Sequence, residues 1–201
     1  EMKNNFVSAH RNAPLTAKIL SAAKLNKRMR RMEIYYDEWE SPIGPLLVLA
    51  CEKGIIRIDY GRMKDLKDEI SAWLLKNGAE PIFIKDSNQT TQAKNELEQY
   101  FKGELRKFAM QLHLFGTPFQ KKVWQALLDE IPHGQTKSYQ DIAYTIGNPK
   151  AVRAVGGAVN RNPVAIVVPC HRVIGKNGKL IGYNGGLDKK EFLLKHEGFL
   201  N

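Results

Sequence analysis

Three short apolar runs organise the first half of the chain: Ile34–Trp39, Leu46–Cys51 and Ile55–Tyr60, separated by Ser41-Pro42-Ile43-Gly44-Pro45 and Glu52-Lys53-Gly54. Runs of this length, rich in β-branched and aromatic residues and bounded by Gly and Pro, predict strands; connections this short predict an antiparallel meander. The period then changes. Leu66, Ile70, Trp73 and Leu74 recur at helical spacing within Met63–Lys76, and Asn77-Gly78 supplies the stop. Thr90–Lys102 predicts a second helix, with Leu97, Tyr100 and Phe101 apolar.

The second half carries sharper local signals. Thr117-Pro118-Phe119-Gln120 combines an N-cap, Pro at the first helical position and Gln at the third. The helix it opens places Phe119, Val123, Ala126 and Leu127 on one face and stops before Pro132-His133-Gly134. Ser138-Tyr139-Gln140-Asp141 is a second capping box, for a short helix ending at Gly147; Asn148-Pro149 opens a third helix with Val152, Val155 and Val159 inward. Two short helices around a Gly-containing turn read as a helix-turn-helix, whose second helix usually docks on DNA. Asn162–Val168 is a mostly β-branched apolar run that predicts a buried strand, stopped by Pro169. Asn177-Gly178 predicts a hairpin-type turn and Gly182–Gly186 a loop. Asp188-Lys189-Lys190-Glu191 caps a final helix, with Phe192 and Leu193 inward, that ends at Glu197-Gly198. The expected organisation is a small antiparallel-sheet unit with helices over residues 32–115 and a mainly helical unit over 116–201, an α+β arrangement.

Composition places this pattern in a globular chain. Of 201 residues, 43% are hydrophobic, enough for a real core, and no apolar run approaches the ~20 residues of a membrane span. The net charge of +10 is uneven: residues 1–31 contribute +7, 32–117 contribute −3 and 118–201 contribute +6. A polyanionic partner is therefore sought at the two basic ends. Residues 1–31 differ in composition from the rest. Leu15, Ile19, Ala22 and Ala23 have rough helical spacing ahead of Lys27-Arg28-Met29-Arg30-Arg31; the stretch reads as an appended, flexible extension or as a basic arm adding nonspecific nucleic-acid affinity. Two cysteines make no disulfide framework, and no secretory h-region stands out, so a reducing cytoplasm is expected.

Cys170 is the residue that draws attention. A thiol delivered beside His171 and Arg172 at the end of a rigid apolar segment is a candidate nucleophile, because neighbouring basic groups can lower its ordinary pKa of ~8.5. Taken alone, a Cys-His pair is more often structural than catalytic. Cys51 reads as a small core residue in its strand, and Asp59 and Asp65 as surface carboxylates. With only two cysteines and no further ligand at metal spacing, no zinc site is expected.

Read together, the second-half stretches resemble one family. Gly116-Thr117-Pro118-Phe119-Gln120, Val123-Trp124-Gln125-Ala126-Leu127, Ile131-Pro132-His133-Gly134, Ser138-Tyr139, Asn148 to Gly156, Asn162-Pro163, Pro169 to Ile174, Gly182-Tyr183 and Leu193 to Gly198 are similar, in order and spacing, to the catalytic domain of O6-alkylguanine-DNA alkyltransferases (methylated-DNA–protein-cysteine methyltransferases). Residues 32–115 resemble that family's variable N-terminal domain more loosely. The resemblance implies a ribonuclease-H-like N-terminal unit and a winged-helix-like C-terminal unit. It implies binding of double-stranded DNA from the minor groove and flipping of an O6-alkylguanine, with O4-alkylthymine a second substrate. It also implies irreversible transfer of the alkyl group to Cys170, once per molecule, without a cofactor.

By position, Cys170 is the acceptor, His171 the base acting through a water, Glu197 its orienting acid and Asn162 the residue holding the active-site turn. Tyr139 and Ser138 lie at the approach to the target phosphate and base, and Arg153, with Ala154 beside it on the recognition helix, takes the vacated place in the stack. Val173 reads the guanine edge through its backbone; Tyr183 and Asn184 wall the pocket. A monomer is expected, with cooperative loading on DNA as the alternative. The rivals are a non-reacting lesion-binding protein, which in this family carries another residue at the Cys170 position, a helix-turn-helix regulator with a sensor cysteine, and an unrelated thiol hydrolase.

Overall fold

The computed structural model describes residues 29–200. The extension expected over residues 1–31, with its helical spacing at Leu15–Leu25, lies outside the described residues apart from its last three. Strands β1 (Arg30–Ser41), β2 (Gly44–Cys51) and β3 (Gly54–Tyr60) form the expected antiparallel meander, with Tyr35 opposite Ala50 and Leu46 opposite Tyr60. Helix α1 (Met63–Lys76) then carries the chain back to β4 (Ala79–Lys85), which pairs parallel to β1, giving a four-stranded sheet in the order β3-β2-β1-β4. The sheet is therefore mixed rather than antiparallel. Strand β4 escaped the sequence reading because it is a seven-residue run interrupted by Pro81, which argues against a strand anywhere except at an edge, and an edge is where it lies.

A single 3₁₀ turn at Asn88–Thr90 leads into α2 (Thr91–Phe101). The second unit comprises α3 (Pro118–Glu130), β5 (Lys137–Ser138), α4 (Tyr139–Thr145), α5 (Val152–Asn160), a 3₁₀ turn at Cys170–Arg172, β6 (Val173–Ile174) and α6 (Leu187–His196). Both predicted capping boxes form: Gln120 N–H donates to Thr117 Oγ1, and Asp141 N–H to Ser138 Oγ. Gly147 ends α4 at φ 72°, and the Asn148 N–H reaches the Ala143 carbonyl across it, so the turn between α4 and α5 is closed by a glycine-dependent helix stop.

Strand β2 explains the packing. Its inward residues alternate, yet all are buried: Leu46, Val48 and Ala50 on one face, Leu47, Leu49 and Cys51 on the other. A central strand covered on both faces reads as an unbroken apolar run. One face packs against α1 through Ile70 and Leu74; the other forms one continuous core with α2 and with Val123, Trp124, Leu127, Val155, Val159 and Leu193 of the second unit. Trp124 Nε1 donates to Ala158 O at 2.9 Å and fixes α5 on α3.

The strand expected over Asn162–Val168 is absent among the described residues. Pro163–Ala165 hangs on the free edge of β3: Ile58 N–H donates to Pro163 O at 2.9 Å and Ala165 N–H to Ile58 O at 3.1 Å. Beyond this the chain coils into tight turns, with Val167 N–H on Ala165 O and Cys170 N–H on Val168 O. Ile166 sits at φ 70°, fully buried, in a region costly for a β-branched side chain, at about 1–3 kcal/mol. The apolar run signals burial, which a packed turn satisfies as well as a strand does. Three further expectations change. Asp59 is mostly covered, with Arg57 Nε donating to it at 2.5 Å. Phe192 is exposed, and the buried face of α6 is Lys190, Leu193 and Leu194. Asn177-Gly178 forms a turn closed by Gly175 N–H on Lys179 O, with no strand pair flanking it among the described residues.

Candidate active site

The turn that ends at Cys170 is built by Asn162. Its Oδ1 accepts from Val164 N–H at 2.9 Å; its Nδ2 donates to Val168 O at 2.8 Å, to Val164 O at 3.3 Å and to Cys170 Sγ at 3.0 Å. One side chain thus folds the turn and supplies a donor to the sulfur. Burial pushes the Cys170 thiol up from its ordinary value, and the Asn162 amide and the Lys190 charge pull it back down. Cys170 and Asn162 lie at a cavity of about 200 Å³, lined also by Val159, Ala165, Tyr183 and Asn184.

Beside the sulfur, a buried acid–base pair faces inward. His171 Nε2 lies 2.8 Å from Glu197 Oε1, and both side chains are fully enclosed. Glu197 also accepts from Tyr100 Oη at 2.8 Å, from Arg172 Nε and Nη2 at 2.8 and 3.0 Å, and from Gly134 N–H at 3.3 Å. Burial opposes ionisation of Glu197, but His171 and Arg172 hold it well below the usual carboxylate range. Burial lowers His171, with Glu197 opposing. The imidazole is therefore neutral near pH 7, and a carboxylate at Nε2 places the proton there, leaving Nδ1 an acceptor. Nδ1 is buried with no hydrogen-bond partner among the described residues.

Lys190 was not foreseen. It is fully buried and donates to Val173 O at 2.5 Å, to Ile181 O at 2.8 Å and to Gly182 O at 3.4 Å. Burial pulls its pKa down to about 8. The signal was present in the spacing: Lys190, Leu193, Leu194 and Glu197 share one helical face. Arg172, read as a neighbouring cation, is the charge partner of Glu197 and also donates to Ile131 O at 2.7 Å. Tyr100, read as a core aromatic of α2, is a third partner of Glu197.

The other predicted residues fall around this centre. Tyr139 begins α4, half-buried, its hydroxyl donating to Ile181 O at 3.1 Å beside the pocket-wall loop. Ser138 is occupied with capping α4. Arg153 and Ala154 are exposed together on α5, the second helix of the pair, whose other face is buried through Val155, Ala158 and Val159. Val173 is buried, with its carbonyl held by Lys190. Tyr183 and Asn184 line the cavity. Among the described residues no three His, Cys, Asp or Glu side chains gather as a metal site, and no helix is long and apolar enough to cross a membrane.

Comparison with known proteins identifies the two units. Residues 34–114 match the family description "6-O-methylguanine DNA methyltransferase, ribonuclease-like domain", and residues 118–199 match "6-O-methylguanine DNA methyltransferase, DNA binding domain". A methylated-DNA–protein-cysteine methyltransferase of Methanosarcina acetivorans is 50% identical over 165 residues, 82% of this chain and 99% of that one. The constitutive enzyme of that name from Bacillus subtilis is 45% identical over 164 residues, 81% and 94% of the two chains. A crystal structure of Mycobacterium tuberculosis OGT in complex with DNA superposes with a TM-score of 0.69 at 39% identity, covering 82% of this chain and 93% of that one. With both of its units matched in order, and with a buried cysteine, histidine and glutamate gathered where they meet, the chain belongs to the 6-O-methylguanine-DNA methyltransferase family.

Proposed function

We propose that this protein repairs alkylated DNA by direct reversal, transferring the alkyl group of an O6-alkylguanine, and also of an O4-alkylthymine, irreversibly to Cys170. The observation that carries the reading is the thiol itself: Cys170 Sγ lies in a small cavity, 3.0 Å from a fixed amide donor, next to a histidine oriented by a buried glutamate. A Cys-His-acid relay of this kind produces a thiolate on demand in a site whose burial otherwise opposes it. His171 accepts the thiol proton at Nδ1, through one water, and Glu197 stabilises the imidazolium that forms, with Arg172 holding the Glu197 carboxylate in place. The thiolate electron pair makes the S–C bond as the C–O6 bond breaks. The pair leaves on O6, and a proton, supplied by the Tyr139 hydroxyl or by solvent, neutralises the guanine. The thioether has no route to hydrolysis here, so each molecule reacts once.

The base must leave the stack to reach a buried sulfur. Exposed Arg153 and Ala154 face outward on the second helix of the pair, where Arg153 can occupy the gap left by the base, and Tyr139 stands against the loop that carries Tyr183. The backbone of Cys170 and Val173 reads the guanine edge, while Tyr183 and Asn184 close the wall. Residues 32–115 and 116–201 act as two units, the first buttressing the second, on a protein that works as a monomer in the cytoplasm. The experiment is intact mass after incubation with duplex DNA carrying one O6-methylguanine, with peptide mapping. One added methyl on Cys170, without turnover, is the expected result, and Cys170→Ala binds the duplex but gains no mass. Tight lesion binding by the native chain with no mass change would replace this reading with that of a non-reacting lesion binder.

A further inference from the structure

One wall of the cavity that holds Cys170 comes from the N-terminal sheet. Tyr60, the last residue of β3, lines the cavity together with Cys170, Tyr183 and Gly185. Its hydroxyl lies 2.6 Å from the Tyr183 hydroxyl, and the two rings meet edge to face at 6.1 Å between centroids. The loop that carries Tyr183 runs flush over both rings: a Cβ added at Gly185 would fall 2.4 Å from Tyr60 Cε2 and 2.8 Å from Tyr183 Cε1. The position of β3 is in turn tied to the active-site turn through the Ile58 bridge to Pro163–Ala165.

We infer that Tyr60 is a specificity-determining residue of the alkyl pocket, limiting the size of the alkyl group by its ring and by latching Tyr183 through the paired hydroxyls. The reasoning rests on the alkyl-transfer reading above. The alkyl carbon must lie in line with Cys170 Sγ, so whatever shares the cavity with the sulfur bounds the group attached to that carbon. Tyr183 and its loop are pinned from the other side by Lys190 and Tyr139, which hold the Ile181 and Gly182 carbonyls. Tyr60 is the pin on the cavity side, and the only hydrogen bond to its hydroxyl among the described residues is that from or to Tyr183. A ring and a latch on the cavity side admit a methyl group and resist an arylmethyl group such as benzyl.

The test is a competition between two duplexes of the same sequence, one carrying O6-methylguanine and one O6-benzylguanine, both in excess over protein. The ratio of benzylated to methylated Cys170 is read by mass for the native chain, Tyr60→Phe and Tyr60→Ala. Opening a pocket by more than a methylene shifts discrimination by about tenfold or more, so Tyr60→Ala raises the ratio by that amount. Tyr60→Phe, which keeps the ring and removes the latch, raises it less but in the same direction. An unchanged ratio in folded Tyr60→Phe and Tyr60→Ala, or equal slowing of both transfers, overturns the inference; if Tyr60→Ala does not fold, Tyr60→Phe decides. A native chain that takes up neither alkyl group refutes the alkyl-transfer reading instead, leaving the two failures distinct.

Discussion

Replacing Asn162 by Leu, which has nearly the same shape and no polar atoms, separates the chemistry of the site from its packing. The substitution removes the donor 3.0 Å from Cys170 Sγ and leaves Val164 N–H and Val168 O without their present partner. A hydrogen bond to a charged group contributes about 1.5–3 kcal/mol. At 1.36 kcal/mol per pKa unit, losing it from the thiolate raises the Cys170 pKa by about 1–2 units. Two buried backbone groups left unpaired cost about 1–3 kcal/mol each, so stability falls by roughly 2–6 kcal/mol. The two effects are read separately. The rate of Cys170 carboxamidomethylation against pH, followed by peptide mass so that Cys51 does not interfere, reports the thiol pKa without any DNA. Thermal unfolding reports the stability. The expected result is a reactivity curve displaced to higher pH by at least about one unit, with alkyl transfer at pH 7.5 slowed about tenfold or more. A curve superimposable on that of the native chain would refute the argument that the Asn162 amide stabilises the thiolate, whatever happened to the melting temperature.

The remaining predictions concern the groups around that sulfur. Glu197→Ala strands a buried Arg172 and costs about 3–5 kcal/mol, a fall in melting temperature of about 6–20 °C for a chain of this size; a loss under about 1 kcal/mol would show that the pair is not structurally important. Because Glu197 is held below the ordinary carboxylate value in the folded protein, its contribution is complete above the unfolded value of ~4.3 and is lost as pH falls below it towards the folded value; Glu197→Gln flattens that acid limb in a pH series of melts. Lys190 acts in the same direction in a higher window, since its folded pKa of about 8 also lies below that of the unfolded side chain: the penalty for burying its charge is present at pH 7 and is relieved as pH rises through 8 towards 10.5, so Lys190→Met removes a rise in stability over that interval. Lys190→Met also releases the Val173, Ile181 and Gly182 carbonyls and slows transfer; an unaltered rate would show that the loop holds its place without it. Arg153→Ala, an exposed change on α5, leaves stability within about 0.5 kcal/mol but slows transfer from duplex DNA far more than from the free alkylated base; equal slowing of both would remove Arg153 from the base-flipping step.

The elements written in local code were legible in the chain. The capping boxes at Thr117 and Ser138 depend on residues three apart, and the stops at Gly78, Gly147 and Gly198 on a conformation that glycine adopts without penalty, all at positive φ here. Helices α1 to α4 therefore begin and end close to where spacing put them, while α5 begins at Val152, after Ala151, and not at Asn148-Pro149. The ordered motifs likewise marked Cys170, His171, Glu197 and Asn162, which the structure brings together, because a thiol, an imidazole, a carboxylate and an amide are each a residue type at a position. The capping signals at Asp188 did not form as such: Gly186 precedes α6, and the face of that helix follows its packing.

What the residues could not show by themselves is where separate segments meet. Strand β4 pairs parallel to a strand more than forty residues earlier, and the apolar run before Cys170 is coiled and clipped to the edge of β3 rather than extended. Apolar residues announce burial, and only the neighbours available in space decide whether burial takes the form of a strand or a turn. The same holds for the site. Tyr60 is an ordinary strand-end aromatic in sequence, and its hydroxyl reaches a residue 123 positions away. Lys190 reads as a surface lysine until α6 turns it onto three carbonyls. Sequence determined which thiol, imidazole, carboxylate and amide stand at the site and where the local stops and starts fall, since those are fixed by residue chemistry over a few positions. Tertiary structure decided the turn geometry at Cys170, the charge partners of Glu197 and the wall opposite the sulfur, since each is a contact between segments whose proximity comes only from the packing of the whole chain.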